Sequence, residues 1–140
     1  MSDFRKALAE LLEADQNKKV RRRPSDEEHQ LQVACVRWFR YQFPGMAKHL
    51  FAVPNGGRRD KTTGAKLKAE GVVAGVSDLI LMKRSGRYGA LLIEMKTPSG
   101  KQSHEQKEWQ MAMEQEGYCY VVCRSLDEFT RTIISYLGDF

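Results

Sequence analysis

Charged residues interrupt two segments of the chain that are otherwise apolar. Residues 90–97, with the sequence ALLIEMKT, contain Glu94 and Lys96, and Asp78 comes directly before the apolar run LILM. Two carboxylates can hold a hard divalent cation such as Mg²⁺, which prefers oxygen ligands. The cation can offset charge on a phosphodiester and activate a bound water, while a lysine orients that water. These residue types suit phosphodiester hydrolysis, although a Glu and a Lys two apart are also typical of a solvent-exposed strand face.

A β-hairpin is the element that would bring these three residues together. Residues 77–82 and 90–97 are predicted strands, and the Gly-containing sequence KRSGRYG between them predicts a turn. Because successive strand side chains alternate between faces, Glu94 and Lys96 project to the same side. An antiparallel hairpin pairs the start of one strand with the end of the other, which places Asp78 beside them. The sequence predicts that the three charged groups meet at one end of a sheet.

The rest of the chain alternates between helical and strand patterns. Residues 103–116 are a predicted helix, with Ser103 as its N-cap and Gly117 at its end, followed by the strand YCYVVC. A strand, a helix and a strand in succession imply a right-handed crossover between two parallel strands. Further helices are predicted at residues 25–43, 63–70 and 125–137, and a short strand before Pro54. The sequence therefore predicts an α/β fold with a mixed β-sheet flanked by α-helices.

Apolar side chains recur at helical spacing in two of these predicted helices. They are Leu31, Cys35, Trp38, Phe39, Trp109 and Met113. This spacing is typical of side chains that face a protein core, so both tryptophans are interpreted as packing residues and not as base-stacking platforms. The three cysteines are too few to indicate a disulfide framework, and we expect free thiols.

Positive charge is concentrated in two clusters. The chain of 140 residues has a net charge of +5, and the clusters are KKVRRR at residues 18–23 and GGRRDKTTGAKLK at residues 56–68. Such clustering is typical of a protein that binds nucleic acid. The first cluster is either a DNA-gripping arm or a solvated linker after a predicted helix at residues 4–12. The second is either a tight turn and an exposed basic helix or a set of phosphate contacts. Those contacts would come from Asn55, Gly56, Gly57, Arg58, Arg59 and Lys61.

No stretch of the sequence approaches the roughly 20 apolar residues that a membrane-spanning helix needs. The first residues carry scattered charges and no apolar core of the kind found in a signal peptide. We therefore expect no membrane partner and a cytoplasmic location.

Four motifs in a fixed order carry a resemblance that covers residues 27–134. They are EEHQLQ, VPNGG, LKAEGVVAGVSDLIL and LLIEMKTPSGKQSHEQKEW. Together they resemble the PD-(D/E)xK nuclease superfamily and, within it, the stand-alone VRR-NUC nucleases of bacteria and phages. The resemblance implies a restriction-endonuclease-like core and a homodimeric endonuclease that uses Mg²⁺ or Mn²⁺ to cut DNA. It further implies selectivity for branched DNA such as Holliday junctions, in the cytoplasm of a bacterial or phage-infected cell.

The resemblance also implies roles for individual residues. Asp78 corresponds to the motif aspartate, and Glu94 and Lys96 to the ExK motif. Glu28 corresponds to a helix glutamate that completes the metal site, and the backbone carbonyl of Met95 to a further metal ligand. Polar positions that support the site or touch DNA correspond to Gln32 and Gln106.

Glu28 has a second interpretation. Ser25 and Glu28 have the spacing of a capping box at a helix start, a role that needs no metal. Glu27 takes the ligand position if the register is shifted by one residue. The predicted domains are an N-terminal helix and basic linker, residues 1–24, and a VRR-NUC-like nuclease domain, residues 25–140.

Two other functions stay open from the sequence. One is a non-catalytic DNA-binding module, against which the intact Asp, Glu and Lys set argues. The other is a nuclease subunit of a larger phage or mobile-element assembly. One departure from the family pattern is Ser77, which stands where a proline often precedes the aspartate. That position contributes no ligand, so the departure leaves the predicted site intact.

Overall fold

The computed structural model describes Lys6, residues 24–54 and residues 61–138, with the backbone alone at residues 24, 25, 61 and 62. Within these ranges the chain forms four α-helices and four β-strands, each at a predicted position. They are α1 (Pro24–Gln42), β1 (Leu50–Ala52), α2 (Lys61–Ala69), β2 (Leu79–Leu81), β3 (Leu91–Met95), α3 (His104–Gln115), β4 (Cys119–Cys123) and α4 (Leu126–Gly138). The helix predicted at residues 4–12 lies, apart from Lys6, outside the described residues.

The four strands form one sheet in the order β1, β2, β3, β4. β2 pairs antiparallel with β1 and with β3, and Leu79 lies opposite Ile93. β3 and β4 are parallel, and α3 is the crossover that a parallel pair requires. The predicted α/β class, with a mixed sheet flanked by helices, is therefore confirmed.

One face of the sheet carries the main hydrophobic core, to which α1 and α4 contribute. Alternate residues of β2 and β3 are fully buried there, together with side chains from both helices. The ring of Trp38 on α1 meets those of Phe43 and Phe129 edge-on, with centroids 5.9 Å and 6.1 Å away. Fully burying one large apolar side chain stabilises a fold by roughly 1.5–3 kcal/mol. Trp38 is therefore a packing residue, as its spacing predicts.

The opposite face is covered by α3. The ring of Trp109 packs against that of Tyr120 with 6.2 Å between centroids. α3 begins with a capping box, in which the Ser103 hydroxyl accepts from the backbone N–H of Gln106 at 3.1 Å. The Gln106 side chain in turn accepts from the Ser103 N–H at 2.8 Å. Because β3 is covered on both faces, all five of its residues are buried, Glu94 among them.

The start of α1 differs from the prediction. The helix begins at Pro24, so Ser25 lies inside the first turn instead of in front of it. Proline suits the first helical position because the N–H that it lacks would have no helical partner there. The predicted capping position of Ser25 does not match these bounds, and the Ser25 side chain lies outside the described residues.

In the part of the chain that the structure describes, no helix is both long and apolar enough to cross a membrane.

The cysteines are free thiols, as expected. Burial raises the pKa of Cys123 to about 11, so this thiol is protonated at neutral pH.

Candidate active site

The hairpin brings Asp78, Glu94 and Lys96 together at one end of the sheet. Asp78 precedes β2 by one residue and therefore lies opposite the end of β3. Its carboxylate oxygen Oδ2 accepts a hydrogen bond from the backbone N–H of Met95 at 2.7 Å. This bond holds the Asp78 carboxylate beside that of Glu94, where strand alternation predicts it.

Glu94 is the buried carboxyl group of the site. Its side chain is 1% exposed, and its Oε1 accepts a hydrogen bond from Gln106 Nε2 at 3.0 Å. The second oxygen, Oε2, is buried and has no hydrogen-bond partner among the described residues. Burying an ionised carboxylate is costly unless it is paired and hydrogen-bonded. The fold therefore holds Glu94 where a charge alone is unfavourable.

The surroundings of Glu94 raise its pKa to about 9. Burial is the largest cause, and the negative charge of Asp78 is the next. The Lys96 ammonium lowers the pKa and offsets part of this shift. The two carboxyl groups therefore resist carrying a negative charge at the same time.

Lys96 lies on the same side of β3 as Glu94. Its Nζ is 3.8 Å from Glu94 Oε1, an ion-pair distance that is longer than a hydrogen bond. The segment after Lys96 is held by Arg124, whose Nη1 donates to the backbone oxygens of Thr97 at 2.8 Å and Gly100 at 2.6 Å. Arg124 was not predicted, because the contact joins segments that are distant in sequence and leaves no local pattern.

Glu28 approaches the site from the first turns of α1. Burial raises its pKa, while Lys96 lowers it and Asp78 raises it. These influences place the half-buried Glu28 within electrostatic reach of both groups. Glu27 is exposed. Of the two glutamates, Glu28 is therefore the one on the side of α1 that faces the site, as in the alignment of the motif without a one-residue shift. Gln32, one turn further along α1, is half-buried.

Two polar side chains approach Glu94 from α3 and β4. Gln106 Oε1 accepts a hydrogen bond from the backbone N–H of Ser103. This bond fixes the Gln106 amide, so that Gln106 Nε2 donates to Glu94. Tyr120 was not predicted as a site residue. Burial raises its pKa, and the negative charge of Glu94 adds to the shift. The Tyr120 hydroxyl also receives a hydrogen bond from Gln102 at 3.1 Å. The parallel pairing of β3 with β4 was the signal that could have placed Tyr120 on this face.

Asp78 and Glu94 fit a hard divalent cation. They are adjacent carboxylates, and Glu94 Oε2 is buried with no partner in the described part of the chain. A cation would relieve their mutual repulsion. Within the described residues, no three His, Cys, Asp or Glu side chains are close enough to hold a metal ion by themselves. The two carboxylates are therefore the centre of the candidate site, and Glu28 stands further out. Mg²⁺ tolerates such a sparse protein ligand set because it keeps several waters.

The predicted DNA-contacting residues lie almost entirely outside the described residues. These are Asn55, Gly56, Gly57, Arg58 and Arg59. Lys61 begins α2, but its side chain is also outside the described part. Further along α2, Lys66 and Lys68 are exposed, and Lys68 lines a cleft that also contains Asp78. Positive charge is thus present beside the carboxylate pair.

The sheet, its hairpin and the carboxylate pair with its lysine are typical of a nuclease-type domain. The model of the VRR-NUC domain family matches residues 26–127. A solved structure, a "VRR_NUC domain protein", is 30% identical to the chain with a TM-score of 0.71, and the match covers 81% of this chain and 89% of that chain. No curated protein matches the sequence. The chain belongs to the VRR-NUC family, so the resemblance inferred from its motifs is confirmed.

Proposed function

We propose that the protein is a metal-dependent DNA endonuclease that hydrolyses phosphodiester bonds with Mg²⁺ or Mn²⁺. The observation that carries the proposal is the buried Glu94 carboxylate beside Asp78, with one oxygen unpaired and Lys96 Nζ 3.8 Å away. A site with a purely structural role gains little from such a group, because buried charges are often less stabilising than apolar residues of similar volume. Membership of a nuclease-type family supports the same conclusion.

The residues around the metal site would divide the work. Asp78 and Glu94 would hold the cation, with the backbone carbonyl of Met95 as a further ligand and Glu28, which stands further out, as an outer carboxylate. When bound, the cation supplies positive charge to the phosphodiester and lowers the pKa of a coordinated water. Gln106 would set the direction of Glu94 before the cation arrives, as outer partners of metal ligands commonly do.

Lys96 would act on the substrate and not on the cation. Its ammonium is held near Glu94 but outside hydrogen-bond distance, so donors remain for the attacking water and for a phosphate oxygen. Positive charge placed where negative charge develops stabilises the transition state. Lys96 is therefore the residue whose loss should stop cleavage while leaving DNA binding in place.

We further propose that the substrate is branched DNA, such as a four-way junction, and that a homodimer acts on it. The net charge of +5 supports a polyanionic substrate. A two-fold dimer presents two equivalent sites, which matches the two-fold symmetry of a four-way junction. The site of action would be the cytoplasm of a bacterial or phage-infected cell.

The test is cleavage of labelled four-way junction, flap, linear duplex and single-stranded DNA of related sequence, with Mg²⁺, with Mn²⁺ and with EDTA. We expect the wild-type protein to cut with either metal, to prefer the junction and to be inactive in EDTA. The Lys96→Met variant should bind the same DNA but cut it at least about 100-fold more slowly.

Other outcomes separate the alternatives. Full activity in EDTA would contradict the metal dependence, and equal rates on all substrates would contradict the selectivity. Salt-sensitive binding without any cutting would favour a non-catalytic DNA-binding module. Cutting that appears only after a partner protein is added would favour a nuclease subunit of a larger assembly.

A further inference from the structure

A cleft of about 360 Å³ lies beside Asp78, bounded by α2, the N-terminal end of α3 and the loop before β2. Its walls include the apolar side chains of Leu67, Val72, Val73 and Val76. Asp78 lines the cleft and is also a member of the carboxylate pair. The cleft therefore opens directly beside the proposed reaction site.

The loop at residues 71–75 has a glycine with positive φ at each end. Gly71 has φ +103° and Gly75 has φ +87°. A Cβ on Gly75 would lie 2.3 Å from the backbone oxygen of Glu105, so this end of the loop is packed against the start of α3. Between the two glycines, Val72 and Val73 are 39% and 54% exposed. An apolar pair held on the wall of a cleft beside a reaction site is a candidate contact surface.

We propose that this cleft receives an unpaired nucleotide of the DNA strand that is cut, an inference that rests on the proposed nuclease function. The apolar walls suit the faces of a nucleobase, since enzymes that bind an extruded base hold it between apolar or aromatic side chains. Lys68 and Ser103 also line the cleft, and their ammonium and hydroxyl groups would contact a phosphate and the edge of the base. Because Asp78 lines the cleft, the nucleotide next to the scissile phosphate is the one within reach.

Occupation of the cleft would give the enzyme a reason to prefer branched DNA. A paired nucleotide must leave the base stack before it can enter, and that step costs free energy. A nucleotide beside a branch point, where the base stack is interrupted, enters at a lower cost, and an unpaired nucleotide enters at the lowest cost. The carboxylate pair would carry out hydrolysis, and the cleft would determine which phosphodiester reaches it.

Gly64 allows the cleft to be filled without disturbing the fold. It lies in α2 and lines the cleft, and a Cβ at this position would meet no described atom within 4 Å apart from the backbone of its own helix. Gly64→Leu would occupy part of the space, and Gly64→Ala is its matched control because both variants replace glycine by a better helix former. Val73→Ser changes a different wall at an exposed position. Thermal unfolding establishes that all three variants fold.

The probe is a duplex with one unpaired 2-aminopurine at a fixed position, placed next to the cut when a cut has been mapped, and it is compared with the fully paired duplex of the same sequence. Cleavage is measured with Mg²⁺, and the fluorescence change on binding is measured in EDTA. We expect Gly64→Leu to lower kcat/KM on the unpaired substrate by about ten-fold or more and to remove the fluorescence change. Gly64→Ala should behave as wild type, and Val73→Ser should reduce both signals.

The outcomes distinguish the cleft from the nuclease function. Equal cleavage and equal fluorescence responses for Gly64→Leu and Gly64→Ala, from an enzyme that is active, would overturn the cleft assignment alone. A response that is lost in Gly64→Leu, from a wild-type protein that cuts no DNA, would support the cleft and contradict the nuclease proposal. A wild-type protein with neither cleavage nor response would overturn both.

Discussion

Glu94 illustrates at the scale of a single residue how function opposes stability. The strand around it is apolar and buried, and a neutral side chain of the same shape would satisfy the packing. The carboxylate instead remains beside Asp78 with one oxygen unpaired. Sites that bind metals or substrates commonly carry such costs, which is why stabilising substitutions there tend to remove activity.

Replacing Glu94 by Gln should stabilise the metal-free protein and abolish cleavage. The amide can still accept from Gln106, and its NH₂ can donate to the Asp78 carboxylate. We expect the free energy of unfolding in EDTA at pH 7, measured by urea denaturation, to rise by about 1–3 kcal/mol.

The pH dependence of this difference has a defined sign. The fold raises the pKa of Glu94 from 4.5 to about 9, so the cost of burying this group is absent below pH 4.5 and grows as the pH rises towards 9. The stability of the variant and that of the wild type should therefore converge near pH 4.5. A variant that is less stable than the wild type at pH 7 would contradict the account.

Glu28 and Glu27 provide a matched pair for the register of α1. Glu28 is half-buried and faces Lys96 and Asp78, whereas Glu27 is exposed. We expect Glu28→Gln to lower the cleavage rate at limiting Mg²⁺ about ten-fold or more, and Glu27→Gln to leave it unchanged. The reverse order of effects would show that the one-residue register shift is correct.

At the scale of elements, the site depends on where α3 begins. Gly75 packs against the backbone of Glu105 and Gln106, and the Gln106 side chain then reaches Glu94. The contact between the loop before β2 and the start of α3 therefore fixes the position of Gln106, and through it that of Glu94. Arg124 plays a comparable part for the segment after Lys96.

Gly75→Ala should reduce both stability and cleavage, with Gly71→Ala as the control. Both glycines have positive φ, but a Cβ on Gly75 would meet Glu105 at 2.3 Å, whereas one on Gly71 would meet no atom of the described residues within 4 Å. The control therefore measures the backbone strain alone. We expect Gly75→Ala to lose about 1–3 kcal/mol more than Gly71→Ala by urea denaturation, because α3 must move. Equal losses from the two variants would contradict this packing.

The hairpin could be predicted from the sequence because its signals are local. Strand alternation and a glycine-containing turn were enough to bring Asp78, Glu94 and Lys96 together. The place of Gln106 beside Glu94 was anticipated only through the family resemblance. The anchoring by Arg124 could not be predicted, because it depends on how β4 lies against the segment after β3. The start of α1 at Pro24 was not predicted. Proline is favoured at the first helical position, and the sequence also offered Ser25 as a cap, so the local pattern fitted two helix starts.

At the scale of the whole molecule, the described domain is small and basic. Its helices and sheet supply one reaction site, and within the described residues positive charge is present on α2 beside it. The division into a linker at residues 1–24 and a nuclease domain at residues 25–140 stays a prediction. So does the contribution of the basic residues outside the described part.

The oligomeric state is the prediction that belongs to this scale. We expect size-exclusion chromatography with light scattering to give twice the mass of the 16.1 kDa chain. A dimer with two-fold symmetry matches the two-fold symmetry of a four-way junction. A monomer that cuts four-way junctions at full rate would contradict the dimer. A monomer that cuts nothing would favour a subunit of a larger assembly.

We propose that the buried carboxylate pair holds the cation on which cleavage depends. Titration calorimetry with Mn²⁺ measures this binding in wild type, in Asp78→Asn and in the exposed-site control Glu27→Gln. We expect wild type and Glu27→Gln to bind Mn²⁺ with the same affinity and Asp78→Asn to bind it at least about ten-fold more weakly. Mn²⁺ binding by Asp78→Asn as tight as that of the wild type would contradict the assignment.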